Sequence, residues 1–179
     1  MNRTGGSFVQ LAYVVESLDA AIAHWITAFG AGPFFRAEFQ PERQTYRGQP
    51  STVRTAVAVT FMDGLMIELI QQIGHEPSVF QEMLAARGAG PHHLLYRSAL
   101  DFDAEVARFA ALKPDAIAYT GELAGIARIA YVDMVAEMGC FIELSERASG
   151  ITQAFAQMVA ACRDWDGTSD PVRPFPPLR

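Results

Sequence analysis

The chain repeats itself, and no other feature constrains its fold as much. A polar residue leads an apolar, strand-like run at Gln10-Leu11-Ala12-Tyr13, and the same pattern returns at His93-Leu94-Leu95-Tyr96. Ser17-Leu18-Asp19-Ala20 opens a helix after the first run, and Asp101-Phe102-Asp103-Ala104 opens one after the second. Further on, Gly64-Leu65-Met66-Ile67-Glu68-Leu69 is echoed by Gly139-Cys140-Phe141-Ile142-Glu143-Leu144. Two copies of one supersecondary unit organise the whole chain.

Each copy reads as β-α-β-β-β. In the first, 8–15 is a strand, Ser17 is a good N-cap with Asp19 in the first turn, and Leu18, Ile22, Trp25, Ile26 and Phe29 recur at helical spacing. Gly30, Gly32 and Pro33 stop that helix. A strand follows at 33–40, then a polar loop at 41–49 that could close over something, then strands 53–62 and 65–71 joined at Asp63-Gly64, a strong hairpin signal. A connecting helix at 77–87 ends at Gly88. The pattern restarts with strand 91–98, helix 102–112 (Phe102, Val106, Phe109 and Leu112 on one stripe), and strands near 116–120, 126–134 and 139–145. An amphipathic helix at 151–162 (stripe Ile151, Phe155, Met158, Val159, Cys162) must bury its apolar face, and packing on its own chain is expected. The tail 163–179, rich in Pro, Asp and Gly, reads as extended. The expected class is α+β, one domain over 1–179 with modules at 8–75 and 91–147, a connector at 76–90 and a C-terminal helix and tail at 148–179.

With 179 residues, half of them apolar, the chain is long enough for a real core. A net charge of −6 argues against a nucleic-acid surface. No apolar run is long enough to span a bilayer, and Met1 to Ser7 lacks the apolar core of a secretion signal. The two cysteines, Cys140 and Cys162, have no metal-type spacing, so a cytoplasmic protein with reduced thiols is the expectation.

Four polar residues interrupt otherwise apolar strands, as two repeat-related pairs: Gln10 with His93, and Glu68 with Glu143. Strand alternation puts Leu65, Ile67 and Leu69, and Cys140, Ile142 and Leu144, on a uniformly apolar face suited to helix packing. The two carboxylates therefore point away from the helices. A carboxylate recurring at one strand position reads as a metal or acid/base site, and three oxygen donors with one imidazole suit a divalent ion such as Zn, Ni, Co or Mn. The plainer alternative is two solvated strand-end glutamates, an edge Gln10 and a hydrogen-bonded core His93. By the same alternation His92 faces the other side from His93 as a structural or exposed residue, and Tyr13, Tyr96 and Cys140 pack toward the helices. His24 and His75 read as solvated or loop residues, Trp25 and Phe109 as core.

This arrangement resembles the vicinal oxygen chelate superfamily, which includes glyoxalase I, methylmalonyl-CoA epimerase, extradiol dioxygenases and bleomycin-resistance proteins. Gln10-Leu11-Ala12-Tyr13-Val14-Val15 with Leu18-Asp19-Ala20-Ala21, and Gly90-Pro91-His92-His93, carry the resemblance, which covers about residues 8–146. It implies a half-open mixed β barrel with flanking helices whose concave face holds one divalent metal on Gln10, Glu68, His93 and Glu143. That set resembles eukaryotic glyoxalase I; the epimerases usually carry His where Gln10 stands. Extradiol dioxygenases use two His and one Glu, and one His here counts against oxygen chemistry. The implied activity is a metal-dependent lyase or isomerase that abstracts a proton next to a metal-bound carbonyl, with Glu68 and Glu143 taking and returning the proton. The alternative is a metal-free protein that sequesters a small amphiphile. A homodimer is expected, as for many members.

The repeat also aligns Arg54 with Arg128. If the small residues Ala56, Ala58 and Thr60 line the cup while Val53, Val57, Val59 and Phe61 face the helices, both arginines point inward. They would then anchor an anionic group of a small-molecule substrate.

Overall fold

The computed structural model describes residues 5–123 and 126–178. Met1 to Thr4 of the N-terminal stretch, Ala124, Gly125, and Arg179 of the tail lie outside the described residues. The first copy runs β1 (Ser7–Val14), α1 (Leu18–Phe29), β2 (Phe34–Phe39), β3 (Glu42–Tyr46), β4 (Gln49–Pro50), β5 (Arg54–Met62) and β6 (Leu65–Ile73). After α2 (Val79–Arg87) come β7 (Gly90–Arg97), α3 (Phe102–Ala110), β8 (Ile117–Leu123), β9 (Ala127–Met134), the single turn α4 (Val135–Met138) and β10 (Cys140–Ser145). The chain continues into α5 (Ser149–Arg163) and β11 (Val172–Pro174).

Local signals explain most boundaries. The Ser17 hydroxyl accepts from the Ala20 N–H, and the Asp101 carboxylate accepts from the Ala104 N–H, so both copies start their helix with the same capping device. Gly30, at φ 63°, closes α1 with its N–H on the Ile26 carbonyl. Asp63 and Gly64 both take positive φ (50° and 86°), the turn that matches strand twist, and pair Met62 with Leu65.

The described strands form one sheet in the order β11-β2-β5-β6-β1-β7-β10-β9-β8-β3-β4. β1 is parallel to β6 and β7 is parallel to β10, and the two copies meet where β1 and β7 run antiparallel. The fold is the expected α+β class, and the sheet stays open: β2 and β8 take β11 and β3 on their outer edges rather than each other.

The stretch 41–49 is not the loop its polarity suggested. β3 leaves the first copy and pairs with β8 of the second, Thr45 opposite Thr120 and Tyr46 opposite Tyr119. Its buried Gln44 is satisfied by tertiary partners: Nε2 donates to the carbonyls of Pro41 (2.7 Å) and Val53 (2.9 Å), and Oε1 accepts from Tyr119 Oη (3.2 Å).

On the outer face, α1 covers β5 and β6 through Leu18, Ile22, Ala56, Ala58, Ile67 and Leu69. α3 covers β9 and β10 through Phe109, Ala130, Val132, Ile142 and Leu144. The inner face carries Val57, Val59, Met66, Ile70, Leu95 and Phe141, and α5 lies over it with Ala154 and Met158 buried. Full burial of Met158 contributes about 1.5–3 kcal/mol of transfer free energy. α5 thus packs on its own chain, as expected. The tail returns as β11, parallel to β2, and tucks Phe175 and Leu178 against the inner cluster.

The expected alternation on β5 is reversed. Ala56 and Ala58 face α1, because small side chains let a helix approach the sheet, and Val57 and Val59 fill the concave side. Arg54 goes with the alanines and is exposed at the start of its strand, outside the cup. Arg128 shares the outer face with Ala130 and Val132, ion-paired to Asp103 (2.7 Å) and Glu146 (2.9 Å) and stacked 4.7 Å over the Phe102 ring. Neither arginine reaches the cup. No helix among the described residues is long and apolar enough to cross a membrane.

Candidate metal centre

Gln10, Glu68, His93 and Glu143 converge on the concave face from the four central strands β1, β6, β7 and β10. His93 Nε2 lies 2.8 Å from Glu143 Oε2 and 3.4 Å from Glu68 Oε2. The Gln10 carboxamide donates from Nε2 to Glu68 Oε2 at 2.6 Å and sits 3.1 Å from His93 Nε2. One donor atom from each of Glu68, His93 and Glu143 lies within 4.8 Å of the others, a group able to hold a metal ion. Turning the Gln10 amide over would present Oε1 to the same point, so it fits as a third oxygen donor.

His92 corrects the simple alternation. The β1–β7 register pairs Ala12 with His93 but Tyr13 with Pro91, so His92 is the extra residue of a β-bulge. It is fully buried, stacked on Phe80 at 4.8 Å, with Nδ1 2.9 Å from His93 Nδ1 and Nε2 3.2 Å from the Val79 carbonyl. The proton positions follow from that chain. The Val79 oxygen can only accept, so His92 carries its proton on Nε2 and accepts at Nδ1. His93 then donates from Nδ1, and neutral His93 turns a bare Nε2 lone pair toward the two carboxylates. Burial, followed by the charge of His93, holds His92 well below the usual imidazole range, which keeps it neutral in this relay.

A lone pair facing two carboxylates needs a cation or a proton between them. In the metal-free state the proton serves. Burial opposes charge on His93, but its hydrogen bonds to Glu143 and Glu68 outweigh this and raise its pKa to about 9. Burial lifts Glu68 above the ordinary carboxylate range, partly offset by His93. Tyr131, its ring 4.8 Å from that of His93, is pushed well up by burial and by Glu143, and stays a neutral wall.

Around the four polar groups the cup is apolar, with Val57, Met66, Ile70, Leu95 and Ile129 in its wall and Phe155 and Phe175 at its cover. Alternation from His93 through Leu95 also brings Arg97 to the cup, a residue the repeat could not flag because its counterpart in the first copy is Val14. The covering role of α5 and the tail was equally invisible, since neither belongs to the repeat.

A half-open sheet of two β-α-β-β-β copies thus carries a carboxylate–imidazole cluster in its concavity. The family model of the glyoxalase/bleomycin resistance protein/dioxygenase superfamily matches residues 9–131, and the chain belongs to that superfamily. Among solved structures, methylmalonyl-CoA epimerase from Mycobacterium tuberculosis is similar at 23% identity, with a TM-score of 0.57 over 82% of this chain and 91% of that one. The hypothetical protein BH1468 from Bacillus halodurans C-125 is similar at 17% identity, with a TM-score of 0.51 over 81% of this chain and 96% of that one. Among curated proteins no sequence relative matches.

Proposed function

We propose that the chain is a metal-dependent isomerase or lyase of the glyoxalase and epimerase type, with Gln10, Glu68, His93 and Glu143 holding one divalent ion. The observation that carries this is the position of His93 Nε2, 2.8 Å from Glu143 and 3.4 Å from Glu68 inside an apolar cup, with the ring held from behind by His92. A bound ion would polarise a substrate carbonyl and lower the acidity barrier of the adjacent C–H. Glu68 and Glu143 lie on either side of that point, so one can take the proton and the other return it. The apolar wall excludes water, which strengthens both electrostatic contacts and keeps the carbanionic species from stray protonation. The substrate is a small molecule.

The test combines metal analysis with proton exchange. Wild type purified without chelator should carry close to one equivalent of Zn, Ni, Co or Mn, and His93→Ala should lose most of it. Exchange of solvent deuterium into carbon acids next to a carbonyl should fall roughly 10²–10⁴-fold in Glu68→Gln and Glu143→Gln. Protein that takes up none of these metals sinks the reading. The cover of α5 and tail over the cup favours one other reading, a metal-free sequestering protein; binding of a small amphiphile with neither metal uptake nor proton exchange would support that instead.

A further inference from the structure

We propose that the cup takes a compact monocarboxylate, its acid group on the Arg97 guanidinium and a short apolar body against Phe155 and Phe175, and that the C-terminal segment keeps nucleotide-bearing thioesters out. This rests on the reading of the site as an isomerase or lyase centre, and names the substrate class for it.

Arg97 ends β7 two residues beyond Leu95, which is buried in the cup, and it lines the same cavity as Gln10, Glu68 and Glu143. It is the one Lys or Arg among the described lining residues. Arg36, Arg43, Arg47, Arg108 and Arg128 each hold a carboxylate within 3.1 Å. Arg97 makes no such pair among the described residues. Burial weakens its charge; Glu143 supports it from a distance, and Arg147, committed to the Ser98 carbonyl at 2.7 Å, opposes it. A partly desolvated fork of five donors with no acceptor calls for an anion, and a carboxylate matches its geometry.

Size follows from the cover. Ile151 and Phe155 of α5 and Phe175 and Leu178 of the tail line the cavity opposite the sheet, and Phe155 meets Phe61 edge-on at 5.9 Å while Phe175 meets Phe39 at 5.9 Å. The cavity they leave is about 120 Å³. Sites for drug-sized ligands occupy roughly 300–1,000 Å³, so a branched acid of a few carbons suits this space and a coenzyme A thioester does not.

Calorimetry with 3-methyl-2-oxobutanoate, the neutral ketone 3-methyl-2-butanone and propionyl-CoA tests this on metal-free and metal-loaded protein, since the Arg97 contact needs no metal. The acid should bind wild type at least roughly ten-fold tighter than the ketone, and Arg97→Gln should remove that advantage without changing metal content. Propionyl-CoA should bind wild type more weakly than the acid, and Phe155→Ala with Phe175→Ala should narrow that gap. The inference is overturned if acid and ketone bind wild type alike, if Arg97→Gln keeps the preference, or if propionyl-CoA binds best. The acid–ketone comparison in wild type decides the matter even where a variant fails to fold. Metal uptake and deuterium exchange, read separately, show whether the centre itself fails.

Discussion

His92 donates to one carbonyl, accepts from one imidazole and does not line the cup, yet it sets which nitrogen of His93 is free. His92→Leu keeps the volume in the Phe80–Phe141 cluster but strands the His93 Nδ1–H. Metal affinity, measured by chelator competition, should then fall roughly 10–100-fold while the circular dichroism spectrum is retained. His93 itself predicts a pH dependence. Its folded pKa of about 9 lies above its ordinary 6.5, so between those values the metal-free folded state binds more protons at this residue than the unfolded one. This contribution is fully present below about pH 6.5 and is lost as pH climbs through about 9. The Tm of metal-stripped protein should therefore drop between about pH 6 and pH 9.5, and bound metal, which replaces the proton, should reverse the trend. At this scale the sequence was informative where the repeat spoke twice. Gln10, Glu68, His93 and Glu143 were legible because two copies placed polar residues at matching strand positions, and the structure brings all four together. His92 was not, because a bulge breaks the two-residue alternation on which its reading depended.

The elements of the repeat were legible from periodicity and capping residues, and the ones that failed did so for tertiary reasons. β3 reads as a loop because its local partner β4 is only two residues long and its main partner, β8, lies about 75 residues away, through contacts such as Thr45 Oγ1 to Thr120 Oγ1 at 2.7 Å. β5 misled because both of its faces are buried: valine was assigned to the helix side by size, while helix packing there selects alanine. That reversal also carried Arg54 out of the cup. The link made by β3 can be tested through Gln44. Gln44→Ala removes the partner of the buried Val53 carbonyl, of the half-buried Pro41 carbonyl and of the Tyr119 hydroxyl. It should cost about 1–3 kcal/mol in urea unfolding, with the m-value unchanged.

For the whole molecule, the two copies meet in one continuous sheet, and the cup lies between them under a cover that neither copy supplies. A homodimer remains our expectation, built on surfaces other than α5, whose apolar residues Ala154 and Met158 are already spent on the inner face. Light scattering at micromolar concentration should give twice the chain mass, and a monomer would contradict this. The cover also has a consequence for biosynthesis. Because α5 and β11 follow both copies in the chain, the ribosome releases them after the sheet strands they close over. The nascent protein therefore passes through a stage in which the four polar side chains of the cup stand open to the surrounding solution, and whatever they held then would be enclosed when β11 docks beside β2.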